Sequence, residues 1–474
     1  MKGTLNVGWS AMDIDSLIVV IYLGIIMVVG LMCGRGIHSF KEYAVARQSY
    51  SAFVIFATLS ASFIGGGFTM GNAEKVFLFG MVSSFALCGF SLKEFVVSKW
   101  IAPRMASFRD AISVGDIMRP TYGKKGQILT GIFSVLVCTG IVGAQVGAIG
   151  YVFEVLLGIS QSTGVLIGCS IVIAYVTVGG IHAVVLTDVV QFVLIAVGFI
   201  LAVVFGLEAA GGWSNIQATV PAEHLTFFGD YSPWAFLALF LTFFFGEALV
   251  PPYLQRLLIG RTPQVAATGT LWSAIFSVPF FLMTGVLGLV ALTLHPTLNP
   301  NLAIPYVIQT VLPIGIKGLV IASIISVVMS SADSFLNSAS VALTHDVINP
   351  LRKKPFSDKT NLMMGKVFSA LIGVMAIIFA LMIKSVLDIL VIAYNFWAPT
   401  ILVPLVAAVF GVRSNFTTLL VSASTGIAAA LTWHYAGWFN IDGTVTGLCA
   451  NLIAFCIMTF VFNSSRQAVI LPSS

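Results

Sequence analysis

Long apolar runs separated by short polar loops dominate this chain. Thirteen stretches, near residues 14–33, 50–79, 80–104, 126–157, 159–178, 181–208, 233–258, 266–294, 314–349, 361–383, 385–411, 415–437 and 444–464, are predominantly apolar. Runs of about 20 such residues cross the hydrocarbon core of a bilayer as helices. No stretch between them is long enough for a soluble domain, so the pattern predicts an all-α polytopic membrane protein with a single integral domain over 1–474. Composition agrees. The chain is 58% hydrophobic and 9% charged, where soluble domains carry roughly 25% charged residues.

Polar residues inside the apolar runs therefore stand out. Between Gly318 and Leu343 the segment Val327–Ser338 holds Ser330, Ser331, Asp333, Ser334, Asn337 and Ser338. The serines and the asparagine recur at helical spacing, which puts them on one side of a helix. Their oxygens are the donor type that suits a small hard cation. An aspartate at mid-bilayer costs about 2.5–3.5 kcal/mol on insertion scales, so Asp333 calls for a partner. The competing explanation is a stripe of small residues that lets two helices approach closely.

Two spans are interrupted. One reads Leu59–Asn72 with glycines at 65, 66, 67 and 71; the other reads Phe243–Arg256 with Gly246 followed by Pro251 and Pro252. Glycine weakens a helix by about 1 kcal/mol and proline by about 3, so unwound backbone is expected at both places, tolerated where it lines a cavity. Each interrupted span opens a block of five, giving core repeats of about 50–208 and 233–411 flanked by 14–33, 415–437 and 444–464. Interruptions at matching places in two halves point to an inverted-repeat transporter with its sites at the midplane. A third polar element, Gly179–Gln191, places Asp188 and Gln191 on one face about two turns into an apolar span.

The net charge of +5 reflects topology. Basic residues gather in alternate loops (Arg35, Lys41 and Arg47; Arg104 to Lys125; Arg256 and Arg261; Arg352 to Lys359; Arg413; Arg466), which predicts an outside N-terminus, a cytoplasmic C-terminus and a plasma-membrane location. The first span lacks a basic n-region and a cleavage site and reads as a retained helix. Six cysteines show no CxxC spacing and six histidines show no metal-ligand spacing. Without a nucleophile–base or metal motif, the chain does not read as an enzyme, and no cofactor is expected beyond a coupling ion. Lys93 and Glu94 are expected to pair with polar neighbours.

Taken in combination, the Gly179–Gln191 segment, the Met329–Asn337 run, the glycines at 65–67 and Tyr122-Gly123-Lys124-Lys125 resemble the sodium/solute symporter family, a group with the LeuT-type 5+5 inverted-repeat fold. Ser62–Phe68, Ala73-Glu74, Thr187–Gln191 and Met329–Ser334 look most similar to its high-affinity choline transporter branch. The resemblance implies a sodium-coupled secondary active symporter that imports a small organic solute by alternating access. The alternatives are a transporter-like substrate sensor, for which no signalling module is seen, and a proton-coupled symporter of the same fold.

Carried across by motif, the sodium site would use Gly65, Phe68 and Val327 carbonyls with the Ser330 and Ser331 hydroxyls. A second sodium, present in some relatives, would map to Asp188, Ser330, Asp333 and Ser334. The solute would lie among Phe63, Gly66, Thr69, Asn72, Gln145, Phe244, Glu247, Tyr253, Tyr394, Asn395 and Trp397. The choline branch places tryptophans where this chain has Phe63, Ile141 and Val250, so most of an aromatic cage is missing. Glu247 would suit an ammonium group, which favours an amino acid or other amine-bearing compound, with a choline-like solute as the alternative. Nucleic acid is not an expected partner; the lipid bilayer is.

Overall fold

The computed structural model describes residues 13–382, 396–436 and 443–470, with side chains described to 461. In order, the helices are α1 (Ile14–Cys33), α2 (Phe40–Val45), α3 (Ala52–Phe63), α4 (Asn72–Phe79), α5 (Val82–Val96), α6 (Val114–Leu157), α7 (Gln161–Ala209), α8 (Gly212–Thr219), α9 (Pro233–Phe245), α10 (Pro251–Leu258), α11 (Pro263–Leu294), α12 (Ala303–Val311), α13 (Ile316–Val341), α14 (Asn349–Leu351), α15 (Asp358–Met382), α16 (Val403–Val409), α17 (Phe416–Ala436) and α18 (Gly443–Ile470). Asp13, Ser51, Ser113, Ser160, Ser232 and Thr262 each accept a hydrogen bond from a backbone amide of the first turn they precede. Proline opens α9, α10 and α11, where its missing N–H is not needed.

Among the described residues eight helices are long and apolar enough to cross a membrane, or nine if α3 and the bent continuation Gly67–Phe79 form one span. The difference from thirteen arises at four places. The 80–104 run is cut to α5 by a π-helical turn at Val97–Ile101; the 233–258 run is broken between α9 and α10; and the 385–411 run is described only from residue 396. The fourth is α7, whose 49 residues would extend roughly 70 Å, more than twice a hydrocarbon core. Gly180 resolves this with φ 48° and ψ −144°, a conformation open to glycine, so the expected spans 159–178 and 181–208 meet there. A methyl group at Gly180 would sit 2.5 Å from the Tyr43 ring and 2.6 Å from the Tyr43 carbonyl.

α13 is the hub. Of its most apolar 18-residue window 94% is buried, against 33% for α1 and 39% for α7, and it packs on α7, α6, α1 and α3. The helix that carries the hydroxyl-rich face is thus the one most completely enclosed by protein.

Candidate ion and solute site

The first break leaves backbone acceptors facing α13. α3 ends at Phe63, Ile64 leaves the helical region (φ −85°, ψ 62°), and the chain resumes at a bend of 68°. The last carbonyls of a helix lack intrahelical donors. Here the Ser330 hydroxyl lies 2.8 Å from the Ala61 carbonyl, 2.8 Å from that of Ser326 and 3.3 Å from that of Val327. The Ser331 hydroxyl lies 2.8 Å from the Ser62 carbonyl and 3.3 Å from that of Val327. The Ser326 and Val327 carbonyls also accept backbone amides within α13, so the Ala61 and Ser62 carbonyls at the end of α3 are the ones that depend on the two hydroxyl protons. Such an oxygen-rich, proton-poor knot suits a hard cation, and the C-terminal end of α3 adds its partial negative charge.

The carbonyls expected from the family pattern are placed differently. That of Gly65 accepts from the Phe68 amide at 3.1 Å and the Thr69 hydroxyl at 3.2 Å, and that of Phe68 faces Thr284 of α11 at 3.5 Å. Gly65 still abuts the knot, since a Cβ there would come 3.0 Å from the Ser331 hydroxyl and 3.6 Å from the Gln145 amide nitrogen.

One turn along α13 an arginine stands where the resemblance implies a second sodium. Arg256 lies in α10 with a fully buried side chain, which corrects its assignment to a basic loop. Its Nη2 is 3.3 Å from the Asp188 carboxylate, 3.2 Å from the Ser62 hydroxyl and hydrogen-bonded to Ser334. Asp188 also accepts from Thr58 and, at 3.0 Å, from Ser62. Asp333 accepts from the Tyr175 hydroxyl at 2.6 Å and from Ser334 at 3.0 Å. Asp188 and Ser334 meet at this guanidinium and Asp333 joins them through Ser334, while Ser330, the fourth residue that the resemblance implies, is held at the Ala61 carbonyl.

The solute candidates divide. Phe63 and Tyr253, from the two sides of the interruptions, pack edge to face with centroids 5.1 Å apart. Gln145 is buried and faces Gly65. Thr69 caps Gly65 and Gly66, and a Cβ on Gly66 would touch Met70 and Val328. Phe244 lines a cavity of about 400 Å³ beside Ala248 and Leu249. Glu247 is buried within the second interruption. Trp397 donates its indole N–H to the Ala248 carbonyl at 3.0 Å. Asn72 instead commits its amide nitrogen to Ser84, Phe281 and Thr284, a helix–helix contact away from the break. Tyr394 and Asn395 lie outside the described residues.

Two further groupings escape sequence spacing. Lys93 is buried, its ammonium has no hydrogen-bond partner among the described residues, and Glu94 and Glu247 are acidic groups near it. Asp116, His345 and Asp346 converge, with His345 Nε2 2.9 Å from Asp116. Residues 116 and 345 are brought together by packing of α6 on the π-helical segment Ala342–Ile348 that follows α13, which no local spacing encodes.

Residues 43–426 match the model of the sodium:solute symporter family. The Drosophila melanogaster high-affinity choline transporter 1 is 27% identical over 407 residues, covering 80% of this chain and 63% of that protein. This chain therefore aligns with less than two thirds of that relative's length. The Escherichia coli (strain K12) sodium/proline symporter is 22% identical over 481 residues, covering 95% of this chain and 93% of its own. A substrate-bound, outward-open sodium-coupled sialic acid symporter superposes with a TM-score of 0.86 at 19% identity, over 95% of this chain and 98% of that one. At that identity the likeness establishes the fold, a LeuT-type transporter architecture.

Proposed function

We propose a function for a chain that belongs to the sodium:solute symporter family: sodium-coupled import of a small organic solute across the plasma membrane by alternating access. The observation that carries it is the pair of hydroxyls, Ser330 and Ser331, set against the carbonyls of Ala61, Ser62 and Val327 at the end of a broken helix. The proposed ion ligands are those five groups, with Gly65 giving the close approach and the Gly65 and Phe68 carbonyls shaping the break. Sodium is cargo here. It neutralises the surplus acceptors and ties α3 to α13, which links ion occupancy to the geometry of the break.

The second carboxylate site takes its cation from the chain itself. A second sodium among Asp188, Ser330, Asp333 and Ser334 would meet the like charge of Arg256, so this reading has a single sodium. The solute lies between the interruptions, against Phe63, Gly66, Thr69, Gln145, Phe244, Tyr253 and Trp397, with Glu247 toward an ammonium group. Two core repeats, about 50–208 and 233–411, rock against each other around these sites, with the N-terminus outside and the basic loops cytoplasmic.

The test is influx of radiolabelled sodium into proteoliposomes of the full chain. A panel of amino acids, choline and sialic acid outside should include a member that raises influx, and sodium over potassium should raise thermal stability in detergent. Absence of any solute-stimulated influx together with indifference to sodium would sink this reading.

A further inference from the structure

We propose that Lys93 is an anion-binding residue of the solute site, so that the transported compound carries a carboxylate. The proposal rests on the symporter reading above and narrows its solute to a zwitterion, carboxylate toward Lys93 and amine toward Glu247.

The argument starts from burial. Lys93 is 1% exposed, on α5, with its ammonium near rings of α3 and α10. An ammonium group so enclosed is costly unless something offsets its charge. No described side chain or carbonyl hydrogen-bonds its Nζ. What surrounds it is aromatic: the Nζ stands 3.6 Å from the ring centroid of Phe90, 4.4 Å from that of Tyr253 and 6.0 Å from that of Phe63. Three ring faces around a cation form the kind of cage that holds quaternary ammonium ligands. In this chain the cage already has a tethered occupant. A cationic solute approaching these rings meets a like charge, and a carboxylate meets an ammonium with three unused donors.

The surroundings complete the picture. Among the described residues Lys93 is the one charged residue beside the cavity of about 400 Å³, to which it gives its apolar stem, with Phe244, Ala248, Leu249 and Leu402 among the other walls. That volume is in the range of small-molecule pockets, and the cavity runs beside the aromatic rings that hold the ammonium. Glu94 and Glu247 are the acidic groups within electrostatic reach of Lys93. The neighbouring Tyr253 hydroxyl is also buried without a hydrogen-bond partner among the described residues, and a carboxylate can accept from it as well. A structural role for Lys93 explains the ring contacts and leaves these donors unused.

The experiment uses matched pairs on the purified full chain in detergent, read by thermal stability with sodium present. L-proline is set against L-prolinamide, glycine betaine against choline, and each of the other proteinogenic amino acids against its amide. At least one acid member should stabilise the protein, and its amide or alcohol counterpart should not. Lys93→Gln should raise the half-saturating concentration of that acid about tenfold or more, while the sodium-induced shift persists; Lys93→Arg should retain the acid preference. Choline or an amide stabilising as well as its acid would overturn the proposal. So would unchanged acid affinity in Lys93→Gln, or a sodium shift with no response to any acid. If Lys93→Gln fails to fold, the matched pairs on the unaltered protein still decide. Loss of the sodium shift alone would count against the symporter reading, and the acid preference would then stand by itself.

Discussion

Arg256 and Asp188 form an ion pair in the interior, 3.3 Å apart with neither side chain exposed. Each arrives from a different half of the chain, α10 and α7, and both close on the hydroxyl of Ser62 at the break of α3. A guanidinium in that position gives the carboxylate its counter-charge in every state of the transport cycle in which the contact is kept. It also binds the two interrupted spans to each other.

Breaking a buried pair by removing one partner costs about 3–5 kcal/mol, because the other charge is left uncompensated. Asp188→Asn and Arg256→Met should therefore each lower the thermal midpoint of the purified protein strongly. The double variant should lose clearly less than the sum of the two, as expected of residues acting on one another. Additive losses in the thermal measurement would mean that each group has a separate partner. If Asp188 held sodium instead, Arg256→Met would strengthen sodium binding, and a lower half-saturating sodium in that variant would show it.

The sodium site predicts a different signature. Ser330→Ala with Ser331→Ala removes two oxygens from the knot and should raise the half-saturating sodium concentration for transport by about tenfold or more. Ser331→Cys keeps nearly the same volume and substitutes a soft donor for a hard one; it should behave like the alanine variant. The measurement is solute uptake titrated with sodium at constant ionic strength. A cysteine variant with unaltered sodium dependence would remove the hydroxyl from the ligand set.

How much of this was readable in the sequence follows from the range of each interaction. The long apolar spans were legible because hydropathy is summed over the span itself, whereas the start of α6 at Val114, capped by Ser113, lies well before the apolar run expected from 126. The broken spans were legible because glycine and proline act on their own backbone. The α13 hydroxyl face was legible because helical periodicity puts Ser330 and Ser334 one turn apart. What opposes each face was not. Arg256 looks in sequence like one of a pair of loop cations with Arg261, yet α10 begins at Pro251, after Leu249 adopts φ +54°, and this start turns the Arg256 side chain inward. The carbonyl register against α13 was equally hidden: Ala61 and Ser62, not Gly65, meet the serines, since α3 persists to Phe63 before unwinding. The cage around Lys93 joins α3, α5 and α10, and no local pattern records such a meeting.

At Gly180 the fold depends on a backbone conformation as well as on space. An alanine there carries about 1–2 kcal/mol of backbone strain and drives its methyl group into Tyr43, 2.5 Å from the ring, an overpacking cost of about 1–3 kcal/mol. Gly180→Ala should reduce the yield of folded protein and its thermal midpoint. Gly180→Ala combined with Tyr43→Ala should recover only the steric part. Full recovery in the double variant, measured by thermal unfolding, would show that the bend itself imposes no strain.

The second interruption makes the last prediction. Leu249 holds φ +54°, a conformation that costs a non-glycine residue about 1–3 kcal/mol, and it persists because its neighbours are tied down. One tie is visible: the indole of Trp397 donates to the Ala248 carbonyl at 3.0 Å, with the tryptophan wholly buried. Trp397→Phe preserves most of the apolar packing and leaves that carbonyl without its donor, a loss of about 1–3 kcal/mol. The interruption should then relax toward regular helix, moving Glu247 and Phe244 relative to the solute. Leu249→Gly acts in the opposite sense, since glycine adopts φ +54° freely. It should stabilise the interruption in the Trp397→Phe background and restore part of the lost solute affinity. Solute-dependent thermal stabilisation of the two single variants and the double variant measures this. If Trp397→Phe lowers stability without weakening solute binding, or if Leu249→Gly gives no recovery, the hydrogen bond supports packing alone and the interruption holds its shape by other means.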